Sequence, residues 1–106
     1  LKGLAHITGG GITDNLPRIL PEGSAAEIDL RAWPVPPLFQ LIQRHGSIAR
    51  DEMLRTFNMG VGMVLACRAH DADRVINTLA RTGEANAVRL GFVVSGDQTV
   101  RYIDKP

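Results

Sequence analysis

Three consecutive glycines, Gly9, Gly10 and Gly11, separate the strand-like stretch Leu4-Ala5-His6-Ile7 from a proline at position 17. That spacing constrains the fold more than any other feature of the chain. Proline has no N–H, so it is tolerated only among the first helical positions, whose donors lack an intrahelical partner. Leu16, Ile19 and Leu20 fall at i, i+3 and i+4, one apolar face of a short helix. The expected N-cap is therefore Asp14 or Asn15, both good capping residues, with the glycines as the approach to the helix. Glycine loses more backbone freedom on folding than any other residue. A triplet thus marks either a mobile turn or a place where backbone N–H groups must come close to an anion.

The rest of the chain alternates strand and helix signals. Ala26 to Ala32 reads as a strand with Ile28 and Leu30 on one face. Pro37 is placed to open a helix carrying Leu38, Leu41 and Ile42, closed by His45-Gly46. Ser47 is the expected cap of the next helix, whose apolar face is Met53, Leu54 and Phe57. Met59 to Cys67 is nearly continuously apolar and of strand length, the pattern of a strand covered on both faces. Ala72, Val75, Ile76 and Leu79 give the cleanest helical period, ended by Gly83. Val88 to Val94 alternates as a strand, Ser95-Gly96-Asp97 turns it, and Thr99 to Ile103 returns as its expected edge partner. The order β-α-β-α-α-β-α-β-β predicts an α+β fold, a mixed β-sheet with helices packed on it, in one domain spanning 1–106.

Composition narrows the function classes. With 106 residues, 44% hydrophobic and 22% charged, the chain can build a core without staples. Twelve basic residues against eleven acidic ones, with no basic block, argue against a nucleic-acid surface. No apolar run approaches the roughly 20 residues that span a bilayer, so no membrane partner is expected. Cys67 is the only cysteine, which excludes an internal disulfide and fits a reducing, cytoplasmic setting. The chain opens on Leu1 and reaches its glycine loop within eight residues, which suggests a piece of something longer.

The residues that can carry chemistry cluster around the glycines. Histidine is the common general acid or base among side chains, so His6 can serve as one, or sit hydrogen-bonded at a strand end. Thr8 can donate its hydroxyl to a ligand or hold the turn. Arg18 can reach an anion at the helix start or stay solvated. Asp14 works against such an anion. Gly9 to Gly11 match neither G-x-G-x-x-G nor G-x-x-x-x-G-K-[ST], so neither nucleotide fingerprint applies. In "RTFNMGVGM" (55–63), Asn58 is polar between apolar segments, and Gly60 and Gly62 are costly inside a strand. They indicate a bulge or a close backbone approach more than a ligand. No set of Cys, His and carboxylates has metal-ligand spacing, so no metal site is expected.

Three segments, "GLAHITGGGITDNLPRILPEG", "WPVPPLFQLIQRHGSI" and "EMLRTFNMGVGMVL", resemble in order and spacing the second half of the phosphoribosylformylglycinamidine cyclo-ligase (aminoimidazole ribonucleotide synthetase) family. The resemblance covers nearly the whole chain. It implies an ATP-dependent ligase of purine biosynthesis that closes formylglycinamidine ribonucleotide into 5-aminoimidazole ribonucleotide, releasing ADP and phosphate. The implied chemistry is phosphoryl activation of the formyl oxygen, then attack by the amidine nitrogen with loss of phosphate. It also implies a two-domain homodimer, whose N-terminal ATP-binding domain holds most of the ATP and Mg²⁺. The chain is then a C-terminal, substrate-cleft domain without that partner domain and without its own first segments, and is expected to be inactive alone.

Carried over by motif, His6 is the implied catalytic, acid–base group. Thr8, Gly9, Gly10 and Gly11 are the implied phosphate-binding residues, with Asn15 and Arg18 supporting them at the helix start. Asn58 and Gly60 are implied to lie at the cleft or to be structural. Two alternatives stand beside this. The chain can be a non-catalytic ligand-binding or structural domain, or a related superfamily member acting in selenophosphate or thiamine-phosphate chemistry.

Overall fold

The computed structural model describes residues 1–104. Strand β1 (Gly3–His6) leads into helix α1 (Gly11–Asn15), which tightens into a 3₁₀ turn over Leu16–Ile19. Then come β2 (Ser24–Asp29), α2 (Pro37–Gly46), α3 (Arg50–Thr56), β3 (Met63–Ala66), a 3₁₀ turn over Ala69–Asp71, α4 (Ala72–Arg81), β4 (Gly91–Ser95) and β5 (Val100–Ile103). The expected α+β order is present. Its strands form two sheets, an antiparallel pair β1–β3 and a mixed sheet ordered β4-β2-β5.

The mixed sheet corrects one expectation. β5 does not return along β4. It pairs parallel with β2 (Ala26 opposite Val100), while β4 pairs antiparallel with the other edge of β2 (Ala25 opposite Val94). The connection crosses the start of β2, with Gly96 N donating to Gly23 O and Gln98 N to Ser24 O. A side chain at position 96 would overlap the Ala25 methyl, so glycine is what lets the chain pass that closely.

The apolar run 59–67 is a second correction. Only Met63–Ala66 is strand, it lies in the two-stranded ribbon, and Met63 is half exposed. Asn58 makes the difference: its Oδ1 accepts a hydrogen bond from Gly60 N at 2.8 Å, while Met59 and Gly60 both take positive φ. Trp33 Nε1 donates to Met59 O at 3.0 Å and secures the turn. Ser47 likewise is not the cap of α3; it is the left-handed C-cap of α2 (φ 50), and α3 begins only at Arg50 with Ala49 as its N-cap.

The core is built from Ala5, Ile7, Ile12, Leu16, Leu20, Ala26, Ile28, Trp33, Met53, Leu54, Met59 and Val64. Ile7, Ile12 and Met53 are sealed from solvent. Ile7 and Ile12 bracket the glycine loop, and burying each contributes about 2 kcal/mol. The loop is thus pinned at both ends to the centre of the domain.

Candidate functional site

Helix α1 starts at Gly11, three residues before Asp14 and four before Asn15, the two expected caps, and the reason is packing. Gly10 precedes it in a left-handed conformation (φ 97) and Gly11 follows with φ 63. A Cβ on Gly11 would overlap the carbonyl oxygen of Leu54 and lie 2.6 Å from that of Phe57. The backbone of α1 therefore rests directly on the end of α3, an approach that only glycine allows. Gly10 is needed for its φ and has Asp14 against it: a Cβ there would lie 2.9 Å from Asp14 Oδ2. Gly9 has neither constraint. Its φ is ordinary and a Cβ on it would meet nothing within 4 Å among the described residues.

Asn15 is not at the loop surface. It is buried beneath it, and its Nδ2 donates toward Thr8 O (3.3 Å), Gly9 O (3.2 Å) and Gly11 O (2.8 Å). Gly11 N closes the turn on Thr8 O at 2.9 Å. Asn15 is at once the last residue of α1 and the N-cap of the 3₁₀ turn Leu16–Ile19, where the proline spacing puts it, but its side chain makes no cap bond and turns to the loop carbonyls instead.

An open cleft of about 450 Å³ runs along the loop, lined by His6, Ile7, Thr8, Gly9, Phe39, Thr56, Phe57 and Asn58. It joins the "HITGGG" and "RTFN" segments, which lie some fifty positions apart in sequence. His6 and Thr8 are exposed on it and Asn58 is half buried. Gly10, Gly11, Asn15 and Arg18 do not line it; Arg18 is exposed on the 3₁₀ turn. Gly60 does not line the cleft either; its φ is 94 and Pro36 Cδ sits 2.5 Å from where a Cβ would be. Phe39, Thr56 and Phe57 were not anticipated at the site. Phe39 and Phe57 form a tilted aromatic pair with centroids 5.7 Å apart, and nothing in the sequence separates such a wall from ordinary core. Among the described residues no group of three or more His, Cys, Asp or Glu is placed to hold a metal ion. No helix there is long and apolar enough to cross a membrane.

The family model described as AIR synthase related protein, C-terminal domain, matches residues 1–104. The chain belongs to this family. Proteins named phosphoribosylformylglycinamidine cyclo-ligase are among the similar ones. That of Neisseria meningitidis strain FAM18 is 52% identical over 93 residues, covering 88% of this chain and 27% of the relative. That of Paraburkholderia phymatum is 56% identical over 84 residues (79% and 24%), and that of Bacillus velezensis 48% over 97 (92% and 28%). The chain thus spans about a quarter of the length of these relatives. For an AIR synthase related C-terminal domain, the α+β architecture agrees with the resemblance seen in the sequence.

Proposed function

We propose that the chain is the C-terminal part of an ATP-dependent cyclo-ligase that converts formylglycinamidine ribonucleotide to 5-aminoimidazole ribonucleotide with ADP and phosphate. The similarity to cyclo-ligases over 79–92% of the chain carries this reading. Its partners would be an N-terminal ATP-binding domain and a second copy of the whole protein, in the cytoplasm, with Mg²⁺ held mainly outside this domain.

The open cleft supplies the residue roles. Gly9 is a glycine with no conformational or packing demand inside the domain, on the wall of the cleft; a bound group approaching its backbone supplies one. In the proposed reaction the loop amides of Gly9 and Gly10, with the Thr8 hydroxyl, hold a phosphate of substrate or nucleotide, near the packed Gly11. His6 faces the same space as the acid–base group while the formyl oxygen receives the phosphoryl group and the amidine nitrogen displaces it as phosphate. Asn58 closes the far wall, and Arg18 adds positive charge at longer range.

The test is an assay of the intact protein as encoded, following ADP release and aminoimidazole formation together. Stoichiometric ADP and aminoimidazole from formylglycinamidine ribonucleotide support the proposal. ATP turnover with selenide (to AMP and phosphate) or with thiamine monophosphate (to ADP), and none with this ribonucleotide, overturns it in favour of a sister chemistry. No turnover of any of them favours a binding or structural domain.

A further inference from the structure

The direction of the loop peptides follows from one buried side chain. Asn15 Nδ2 draws the carbonyls of Thr8, Gly9 and Gly11 toward itself. Every peptide bond in the described chain is trans, and in a trans peptide the N–H points opposite to the C=O. The Thr8 and Gly9 carbonyls face inward, so the Gly9 and Gly10 N–H groups face outward. Both glycines are at least partly exposed, and neither N–H donates to an acceptor among the described residues. We propose that Asn15 is a positioning residue for the phosphate loop: its amide donor sets the peptide orientation that presents the Gly9 and Gly10 N–H groups to a phosphate ligand. This rests on the loop being the phosphate site.

Only a neutral amide of this length can do it. Asparagine brings two N–H donors to three carbonyl oxygens. An aspartate of the same shape would set a carboxylate against those oxygens, which favours flipping the Thr8–Gly9 and Gly9–Gly10 peptides and turning their carbonyls to the ligand. The ligand chemistry is a phosphate monoester or polyphosphate, from the ribonucleotide or from ATP.

The experiment uses the intact protein with glycine ¹⁵N labelling. In the wild type, saturating formylglycinamidine ribonucleotide or ATP shifts the Gly9 and Gly10 amide signals, and the one that does so identifies the source of the phosphate. Asn15→Asp is expected to move those two signals before any ligand is added. It should raise KM for that same ligand at least about tenfold, with kcat within about threefold. Asn15→Ser, uncharged and able to reach fewer carbonyls, gives the same split at smaller size and serves if Asn15→Asp does not fold. A folded variant with both KM values within twofold of the wild type overturns the proposal. So does a loss of activity that follows melting temperature with KM unchanged, the mark of a merely structural role. If neither ligand moves the wild-type Gly9 and Gly10 amides, the phosphate-loop reading itself fails, and that result is separable from the variants.

Discussion

The hydroxyls of Thr13 and Tyr102 share a hydrogen bond of 2.7 Å that ties the last strand, β5, to the short helix behind the glycine loop. Thr13 Oγ1 also donates to Leu54 O at 3.2 Å. A threonine has one hydroxyl hydrogen, so Tyr102 is the donor of the shared bond. A single chain of bonds thus joins β5, α1 and the end of α3, the three elements that fix the loop against the core.

Removing the link has a measurable cost. Tyr102→Phe is expected to lower stability by about 1 kcal/mol, the usual net worth of such a bond, because Thr13 keeps Leu54 O as its partner. Burial, with the Asp14 charge adding to it, holds the Tyr102 phenol above its ordinary value of 10.0. A phenol raised on folding contributes stability that is complete below the ordinary value and is lost as pH rises through the raised one. Urea titrations of the wild type should therefore show a loss above about pH 10 that Tyr102→Phe lacks. An identical alkaline limb in both proteins would show that Tyr102 is not its source.

The three glycines should separate by cause when each is changed to alanine. Gly11→Ala meets two backbone carbonyls at a positive φ and should lose roughly 3 kcal/mol or fail to fold. Gly10→Ala puts a side chain at a left-handed φ and presses on Asp14, a loss of about 1–2 kcal/mol. Gly9→Ala should melt within about 0.5 kcal/mol of the wild type yet raise KM for the phosphate ligand. Calorimetry and steady-state kinetics on the same preparations check the order. A silent Gly9→Ala would remove the functional reason for the first glycine.

Helix α4 was legible because its period is local: Ala72, Val75, Ile76 and Leu79 lie on one face whatever they pack against. Helix α2 was legible because Pro37 fixes its start. The start of α1 was not, since Gly11 is helical only because the carbonyls of Leu54 and Phe57 lie where a side chain would be, and neither is near it in sequence. The same holds for β5, whose partner is decided by the loop passing over Gly23 and Ser24. The apolar run 59–67 misled because hydrophobicity reports burial of a segment and not its backbone. Met59 is buried in a left-handed turn held by Asn58 and Trp33, not in a strand. At the site, "HITGGG" and "RTFN" were each visible as unusual stretches, and their meeting in one cleft is tertiary. Asn15 stood out in the sequence as a polar residue at the helix start; that its side chain lies beneath the loop was not legible, because sequence spacing does not tell a side chain above a turn from one beneath it.

Asp14 lies against Gly10 with its carboxylate toward the loop, and a negative charge there opposes a bound phosphate. Asp14→Asn is expected to lower KM for the phosphate ligand by about threefold to tenfold at low salt. The size follows from one unit charge several ångströms away in a well-solvated setting. The gain should shrink as ionic strength rises, because exposed charges are screened. A KM unchanged across salt concentrations would show that no anion is held near Gly10.

His6 offers the most direct division between chemistry and architecture. It is exposed at the end of β1, paired in register with Met63, and its ring makes no hydrogen bond among the described residues. Its side chain therefore contributes little to the fold, and His6→Gln should leave the melting temperature unchanged. If His6 moves a proton in the proposed cyclisation, the same variant should lose about 100-fold in kcat, the low end of general acid–base catalysis. KM for the ribonucleotide and for ATP should change far less, since proton transfer matters in the transition state and not in the bound ground state. The opposite pattern, a raised KM with kcat intact, would make His6 a binding residue on the cleft wall and assign the proton transfer elsewhere in the intact protein.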